Sequence, residues 1–328
     1  MPAQTTDALV VTKHGGIEVL QVQPREVGEP GPGQLLIQVA AAGVNFLDTY
    51  QREGVYPIPT PFVLGSEGAG IVLATGEGVT SAAPGDRVAW SQTLGSAAGL
   101  VLVPESDAVP VPDPVPLELA AAALLQGMTA HYLVTATYPV QAGDTVLVHA
   151  AAGGVGQMLV QMVRAKDAAV IGTVSSEAKA AKVRGLGADH VLNYTEAPDV
   201  AAAVRELTGG VGVAAVYDGV GKSTFDASLG SLRVRGTLAV FGAASGQVPP
   251  FDLQRLNRGG SLFVTRPVLA HHLRTRDELL TRAGAVLDGL AFGGLHVEIG
   301  GRYPLAEAAR AYSDLENRRS TGKLLLIP

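Results

Sequence analysis

Two stretches of this chain combine residue types with a spacing suited to chemistry. The first is Asp144-Thr-Val-Leu-Val-His-Ala-Ala-Ala-Gly-Gly-Val-Gly156. A short run rich in Val and Leu stops at small residues, and a helix-forming run from Val155 to Lys166 follows. Strand, glycine turn and helix start together present backbone N–H groups to a phosphate. Gly153 leaves room for a pyrophosphate beside the backbone, Gly154 and Val155 carry the turn onward, and Gly156 lets the helix pack close to the strand. The motif is imperfect, because Ala151 holds the first glycine position of G-x-G-x-x-G. The second stretch runs from Asn45 to Tyr56. The Asn45 amide can donate to an oxygen, and Tyr50 and Tyr56 can line a pocket or donate a proton. The plainer readings are an N-cap for Asn45 and half-buried packing for the tyrosines. For Tyr56, which precedes Pro57, packing in a substrate pocket is the preferred reading.

The glycine turn needs a sheet behind it. Ala168-Ala-Val-Ile-Gly-Thr-Val174 reads as a second buried parallel strand, and Val213 to Asp218 and Gly236 to Gly242 as a third and fourth, with helical segments between. That alternation predicts a doubly wound α/β domain binding a dinucleotide, with a vestigial site as the bland alternative. A domain that prefers NAD places an acid at the end of the second strand for the ribose 2′-OH. Here Val174 stands there, followed by Ser175 and Ser176, whose hydroxyls can donate to a phosphate; Lys179 lies about one turn further on. This pattern predicts NADPH. Glu177, the nearest carboxylate, complicates it, and an exposed helix lysine is the alternative for Lys179.

At 328 residues, with 47% hydrophobic and 16% charged, the chain has material for two cores and is not disordered. A net charge of -6 without a basic cluster argues against nucleic acid. The absence of cysteine excludes disulfides, thiolate zinc sites and a cysteine nucleophile, and fits a reducing, cytoplasmic setting. No export segment is evident at Met1 to Asp7. The alanine-rich run between Glu118 and Asp144 reads as a buried helix at a domain junction, not a membrane span.

The N-terminal part has a different texture. Strand candidates at Leu35 to Ala40, Phe62 to Leu64, Ala69 to Leu73 and Arg87 to Trp90 are separated by Pro-Gly and Gly-rich turns, which predicts a β-rich, barrel-like domain. Val103 to Pro116 is too rich in proline for interior strand or helix and reads as the connection between domains. The helical stretch from Arg274 to Leu290 and a last strand, Lys323 to Ile327, return to the first domain. The domains are therefore expected at 1–121 with 272–328, and at 122–271.

These blocks resemble the zinc-free quinone oxidoreductases of the medium-chain dehydrogenase/reductase superfamily, the group related to zeta-crystallin. The resemblance is carried by His14 to Leu20, Gly43-Val-Asn-Phe-Leu-Asp-Thr-Tyr50, Gly65-Ser-Glu-Gly-Ala-Gly70, Pro84-Gly-Asp-Arg-Val88, His149 to Gly156, Phe263-Val-Thr-Arg-Pro267 and Gly322 to Pro328. It implies a GroES-like domain, a Rossmann domain, NADPH and a homodimer. It places Asn45 and Thr129 beside the nicotinamide, Lys179 at the 2′-phosphate and Tyr194 near the adenosine phosphate. Phe241, Gly242, Ala243, Thr265 and Arg318 fall at further cofactor positions, and Lys323 at the pyrophosphate. Packing, a solvated charge run and a surface lysine are the respective alternatives for Tyr194, Arg318 and Lys323. Departures exist too: Gln126 replaces a family lysine, and Ala243-Ala244 replace Asn-Ser. Asp48 reads as ordering its own loop and Glu67 as a buried structural carboxylate, or as the partner of a cation near the cofactor.

Zinc needs about three ligands from Cys, His and carboxylate. Zinc-binding members carry Cys near Gly43 and Gly-His-Glu where this chain has Gly65-Ser66-Glu67, so no metal is expected; His271-His272 read as a solvated helix end. The resemblance implies hydride transfer to a quinone. Reduction of an activated C=C bond, as in 2-alkenal or enoyl reductases, stays open beside it. A non-catalytic, RNA-binding crystallin-like role is the alternative from another class. Gly260 to Pro267 reads as a late strand at a sheet edge, where a two-fold partner would cover it.

Overall fold

Short apolar runs broken by Gly and Pro become the strands of one unit, and Val-rich runs alternating with helices become the parallel sheet of another. The computed structural model describes residues 4–196, 198–317 and 319–328. It divides into Met1–Gly127 with Leu273–Pro328, and Met128–His272. Arg318 lies outside the described residues.

The first unit begins with β1 (Gln4–Val11), β2 (Leu20–Val27) and β3 (Gln34–Gly43), then α1 (Phe46–Arg52). Next come β4 (Phe62–Val63), β5 (Glu67–Thr75), β6 (Arg87–Trp90), β7 (Leu100–Pro104) and β8 (Val109–Pro110). Alternate residues of β3 and β7 turn inward to join Trp90, Leu64 and Val72 in one apolar core. The Trp90 indole finds its hydrogen-bond acceptor in Ser96 Oγ at 2.8 Å. The proline-rich stretch is not purely a connection. Its start lies in β7, and Val109–Pro110 forms the outermost strand beside β6. Proline is tolerated there because an edge strand has one side with no ladder to complete.

Helix α2 (Leu117–Tyr132) crosses the division between the units and continues as a π-helical turn through Thr137. The span Leu117–Thr137 is long and apolar enough to cross a membrane, yet 67% of its most apolar window is covered by protein, and Ala120 to Leu124 have no exposure. The expected junction at 121/122 would fall within this helix.

The second unit alternates β9 (Thr145–Val148), α3 (Gly154–Arg164), β10 (Ala169–Val174), α4 (Glu177–Gly185), β11 (His190–Asn193), α5 (Val200–Leu207), β12 (Val213–Asp218), α6 (Phe225–Ser231), β13 (Leu232–Val240), α7 (Gln254–Arg258) and β14 (Phe263–Thr265). All pairings are parallel and the order is β11-β10-β9-β12-β13-β14. The chain winds outward from β9 to β11, then returns to β12 on the other side of β9. That reversal is the switch point at which open α/β sheets bind ligands, beyond the carboxyl ends of their strands. Strand β14 is the edge, as expected from its late position.

The remaining helices and strands, α8 (Arg276–Ala291), β15 (Ile299–Pro304), α9 (Ala308–Glu316) and β16 (Lys323–Ile327), rejoin the first unit. There β16 pairs antiparallel with the end of β3. A capping box of Thr275 and Glu278 starts α8.

Candidate functional site

In the second unit the expected cofactor residues gather at one edge of the sheet. Gly153 to Gly156 follow β9, Ser175 to Lys179 follow β10, Tyr194 follows β11, Phe241 to Ala243 follow β13, and Thr265 ends β14. Gly153 is the N-cap of α3, so Gly154, Val155 and Gly156 begin the helix, where N–H groups lack intrahelical acceptors. A Cβ at Gly153 would meet only the Ala150 carbonyl, at 3.2 Å, so the space outside this turn is open to a ligand. At Gly156 a Cβ would lie 2.4 Å from that carbonyl and 2.7 Å from Ala151 Cα; the helix can sit this close to the strand only with glycine there. The glycine turn therefore fits an anionic ligand held by backbone N–H groups.

Beyond β10, Ser176 caps α4 by accepting from the Lys179 N–H at 3.4 Å, which leaves its own hydroxyl proton to give. Lys179 Nζ lies 3.5 Å from Ser175 Oγ, so the ammonium and that hydroxyl share one corner. Glu177 does not contest it. Its carboxylate pairs with Arg184 at 2.5 Å, and that hydrogen bond and charge hold its pKa below the usual range. The partner is an arginine more than one turn along α4. Tyr194 is partly buried against the core of this unit. Phe241 N–H donates to the Asp218 carbonyl at 2.8 Å, and Gly242 packs on Gly219, where a Cβ would be 2.4 Å from its carbonyl oxygen. Thr129 is buried in the last turns of α2.

In the first unit, Asn45 begins α1, and the Asp48 carboxylate accepts its N–H at 2.8 Å. Asn45 is the N-cap of α1, in a capping box with Asp48, and its side chain is also tied to other elements. Its Nδ2 donates to Glu67 Oε2 at 2.9 Å and to the Gly43 carbonyl at 3.1 Å, while Oδ1 accepts from Lys323 Nζ at 2.7 Å. An ammonium only donates and a carboxylate only accepts, so this amide orientation is dictated by chemistry. Lys323 also pairs with Glu67 Oε2 at 2.6 Å, and Glu67 Oε1 accepts the Leu125 N–H at 2.7 Å. Glu67 is 0% and Lys323 2% exposed. A Cβ at Gly43 would come within 2.4 Å of the carboxylate and 2.9 Å of the lysine Cε, which is why glycine ends β3.

Lys323 is not a surface lysine: its ammonium donates to Glu67 and Asn45 within the first unit. The Asn45 amide is engaged at both Nδ2 and Oδ1 within the first unit. Glu67 is a buried carboxylate, and the cation it pairs with is Lys323.

Tyr50 and Tyr56 are brought together edge to face, ring centroids 5.5 Å apart, with the Tyr56 N–H on the Tyr50 carbonyl at 3.1 Å. Phe46 flanks Tyr50 at 6.3 Å. Tyr56 is 42% exposed, the more accessible of a small aromatic platform.

Asp48 carries an electrostatic signal that the sequence did not flag. Its Oδ2 accepts from Asn45 N–H and from the Tyr312 hydroxyl at 3.0 Å, while Oδ1 is buried without a partner. Burial is the main cause that lifts its pKa to about 7, against the opposing hydrogen bond from Asn45. The native state therefore holds a proton here that the unfolded chain gives up above its ordinary value of 3.8. Native proton uptake exceeds unfolded uptake across that window, so this group's contribution falls as pH rises from 3.8 to about 7 and levels off beyond it. The slope should approach about 1.4 kcal/mol per pH unit. Urea unfolding of Asp48→Asn between those limits should lack that slope; an unchanged pH profile would contradict it.

Comparison with known proteins places these features. Residues 31–113 match the family model described as alcohol dehydrogenase GroES-like domain, and residues 154–274 the model described as zinc-binding dehydrogenase. The quinone oxidoreductase of Pseudomonas aeruginosa is 44% identical over 317 residues, 96% of this chain and 97% of that one. The chain belongs to the quinone oxidoreductase family of the medium-chain dehydrogenase/reductases. A 2-haloacrylate reductase from a Burkholderia species is 42% identical over 329 residues, covering 98% of each chain. A solved structure of Escherichia coli quinone oxidoreductase complexed with NADPH superimposes with a TM-score of 0.96, at 40% identity over 99% of this chain and 100% of that one. Within this family the first unit is the GroES-like domain and the second the Rossmann domain. The name of the second family model notwithstanding, the described residues hold no group of three or more His, Cys, Asp or Glu placed to bind a metal. Of the paired histidines, His272 stacks on Tyr132 at 4.2 Å.

Proposed function

We propose that this quinone oxidoreductase family member transfers a hydride from NADPH to a quinone without a metal. The observation that carries the reading is the corner beyond β10, where Val174 stands in place of the acid, the Lys179 ammonium lies beside the Ser175 hydroxyl, and Glu177 pairs with Arg184. Gly153, Gly154, Val155 and Gly156 would hold the pyrophosphate through backbone N–H groups, with Tyr194 beside the adenosine end. Phe241, Gly242, Ala243, Thr265 and Thr129 would line the nicotinamide end. NADPH, when bound, supplies the hydride. The chain is asked to fix the geometry and to keep a hydroxyl near the carbonyl being reduced, so that a proton follows the hydride and the quinone becomes the hydroquinone. Tyr50 is the hydroxyl we assign to that task, with Tyr56 lining the substrate pocket. Asn45 contributes by holding the Glu67–Lys323 pair at the head of α1.

A second reading is favoured by the similarity to a 2-haloacrylate reductase: the same hydride delivered to an activated C=C bond. Steady-state rates with NADPH on 9,10-phenanthrenequinone and on a 2-alkenal decide between them. The quinone should be preferred in kcat/KM, and a reversed preference would replace the first reading by the second. A cytoplasmic location accords with a cysteine-free chain. We also assign a homodimer. Phe263 on the edge strand β14 is 60% exposed, and a two-fold partner strand would cover it up to Pro267. A monomeric mass by light scattering at micromolar concentration would refute the dimer.

A further inference from the structure

Buried polar side chains of the Rossmann domain form a relay whose hydrogens can be assigned one by one. The Asp218 carboxylate, at the end of β12, accepts from the Val220 N–H (2.8 Å), the Gly221 N–H (3.0 Å), the Thr224 hydroxyl (2.7 Å) and the Ser228 hydroxyl (2.8 Å). Ser228 spends its only proton on Asp218, so toward His149 Nε2, 3.1 Å away, its oxygen accepts. Nε2 therefore carries a hydrogen. The other ring nitrogen, Nδ1, lies 3.1 Å from Thr173 Oγ1 and accepts from it in a neutral ring. Burial lowers the pKa of His149, with the Asp218 charge opposing, which keeps the ring neutral. His149, Thr173, Ser228 and Asp218 are all buried.

Each end of this relay holds a turn. His149 precedes Ala150, whose φ of 50° lies in the left-handed region that a side chain disfavours. The Ala150 carbonyl accepts the Gly153 N–H at 2.9 Å and is the atom on which the glycine turn closes. His149 is anchored beside that strain at two places: its backbone N–H on the Tyr217 carbonyl at 3.0 Å, its ring between Thr173 of β10 and Ser228 of α6. At the other end Asp218 fixes Gly219 to Gly221. Gly221, at φ 89°, is so close to the next turn that a Cβ would be 2.8 Å from the Gly246 carbonyl and 3.1 Å from Ala243 Cα. The turn carrying Phe241, Gly242 and Ala243 thus rests on the one that Asp218 holds.

We propose that His149 is a positioning residue for the cofactor, whose neutral ring, protonated on Nε2, ties the phosphate-facing turn after β9 to the turns after β12 and β13. The inference rests on the NADPH reading and deepens it by naming the residue through which the two ends of the site are held in register. The test is calorimetric NADPH binding by wild type, His149→Phe, His149→Gln and Ser228→Ala, with kcat and both KM values, plus the imidazole ¹⁵N spectrum of the wild type. The spectrum should show a neutral ring protonated on Nε2 at pH 7. His149→Phe should weaken NADPH about ten-fold, the scale of one net hydrogen bond lost, in Kd and in KM for NADPH, with the quinone KM nearly unchanged. His149→Gln, which keeps an N–H for Ser228, should recover most of that affinity. Ser228→Ala should show the same selective loss and serves if the phenylalanine variant does not fold. A ring protonated on Nδ1, or variants that lose stability while NADPH Kd stays at the wild-type value, would overturn the proposal. A wild type with no affinity for NADPH would overturn the cofactor reading itself, and that outcome is separate because the spectrum needs no cofactor.

Discussion

Glu67→Ala is expected to lower the unfolding free energy by about 3–5 kcal/mol, the range for removing one partner of a buried ion pair. The reason is what remains. Lys323 Nζ, 2.6 Å from the carboxylate on a residue only 2% exposed, would be left as an uncompensated buried cation, and Asn45 and the Leu125 N–H would each lose an acceptor. Glu67→Gln keeps an oxygen for one of these donors but still strands the charge, so it should fall between alanine and wild type. The double variant Glu67→Leu with Lys323→Met should recover only part of the loss, because it removes the stranded charge but leaves the Leu125 N–H and the Asn45 amide short of partners. The urea midpoint measures all three. A shift of under about 1 kcal/mol for the alanine variant, the value of an exposed pair, would mean that the ammonium reaches water.

Lys179→Ala is expected to weaken NADPH by about one to two orders of magnitude and to leave NADH nearly untouched. A charge-assisted hydrogen bond is worth about 1.5–3 kcal/mol, and the 2′-phosphate is the only part of NADPH that NADH lacks. The neighbourhood supports selectivity: Ser175 Oγ is 3.5 Å from the ammonium, Val174 brings no repulsion, and Glu177 is held by Arg184. The loss should shrink as salt is raised, since this corner is partly open to solvent. Equal weakening of both cofactors would show that Lys179 supports the fold of α4 and not the phosphate.

The parallel sheet was legible because its strands are continuous Val-rich runs and its turns are glycine-marked; β9, β10 and β12 sit where periodicity put them, while β13 starts at Leu232, ahead of the expected Gly236. The edge position of β14 followed from its place late in the domain. The proline-rich stretch misled in part, because Pro110 is compatible with an edge strand, and which strand becomes an edge is settled by pairing, not by local sequence. The contact between Asn45 and Lys323 was not legible for one reason: they are 278 positions apart, and only the antiparallel pairing of β16 with β3 brings them together. A signal was present, since Lys323 heads an apolar strand and a buried lysine requires a carboxylate. Glu67 was the candidate among small residues. The His149 relay was missed because its partners Thr173, Asp218 and Ser228 lie on three different elements, each an ordinary polar residue alone. A histidine ending an otherwise apolar strand just before a glycine turn was its only trace.

The central claim is metal-independent hydride transfer from NADPH, selected over NADH by the corner beyond β10. Steady-state kcat/KM of the wild-type protein with saturating 9,10-phenanthrenequinone, NADPH against NADH, tests it most directly. NADPH should be favoured at least about ten-fold, the equivalent of one charge-assisted hydrogen bond to the 2′-phosphate; equal kcat/KM for the two cofactors would contradict the account.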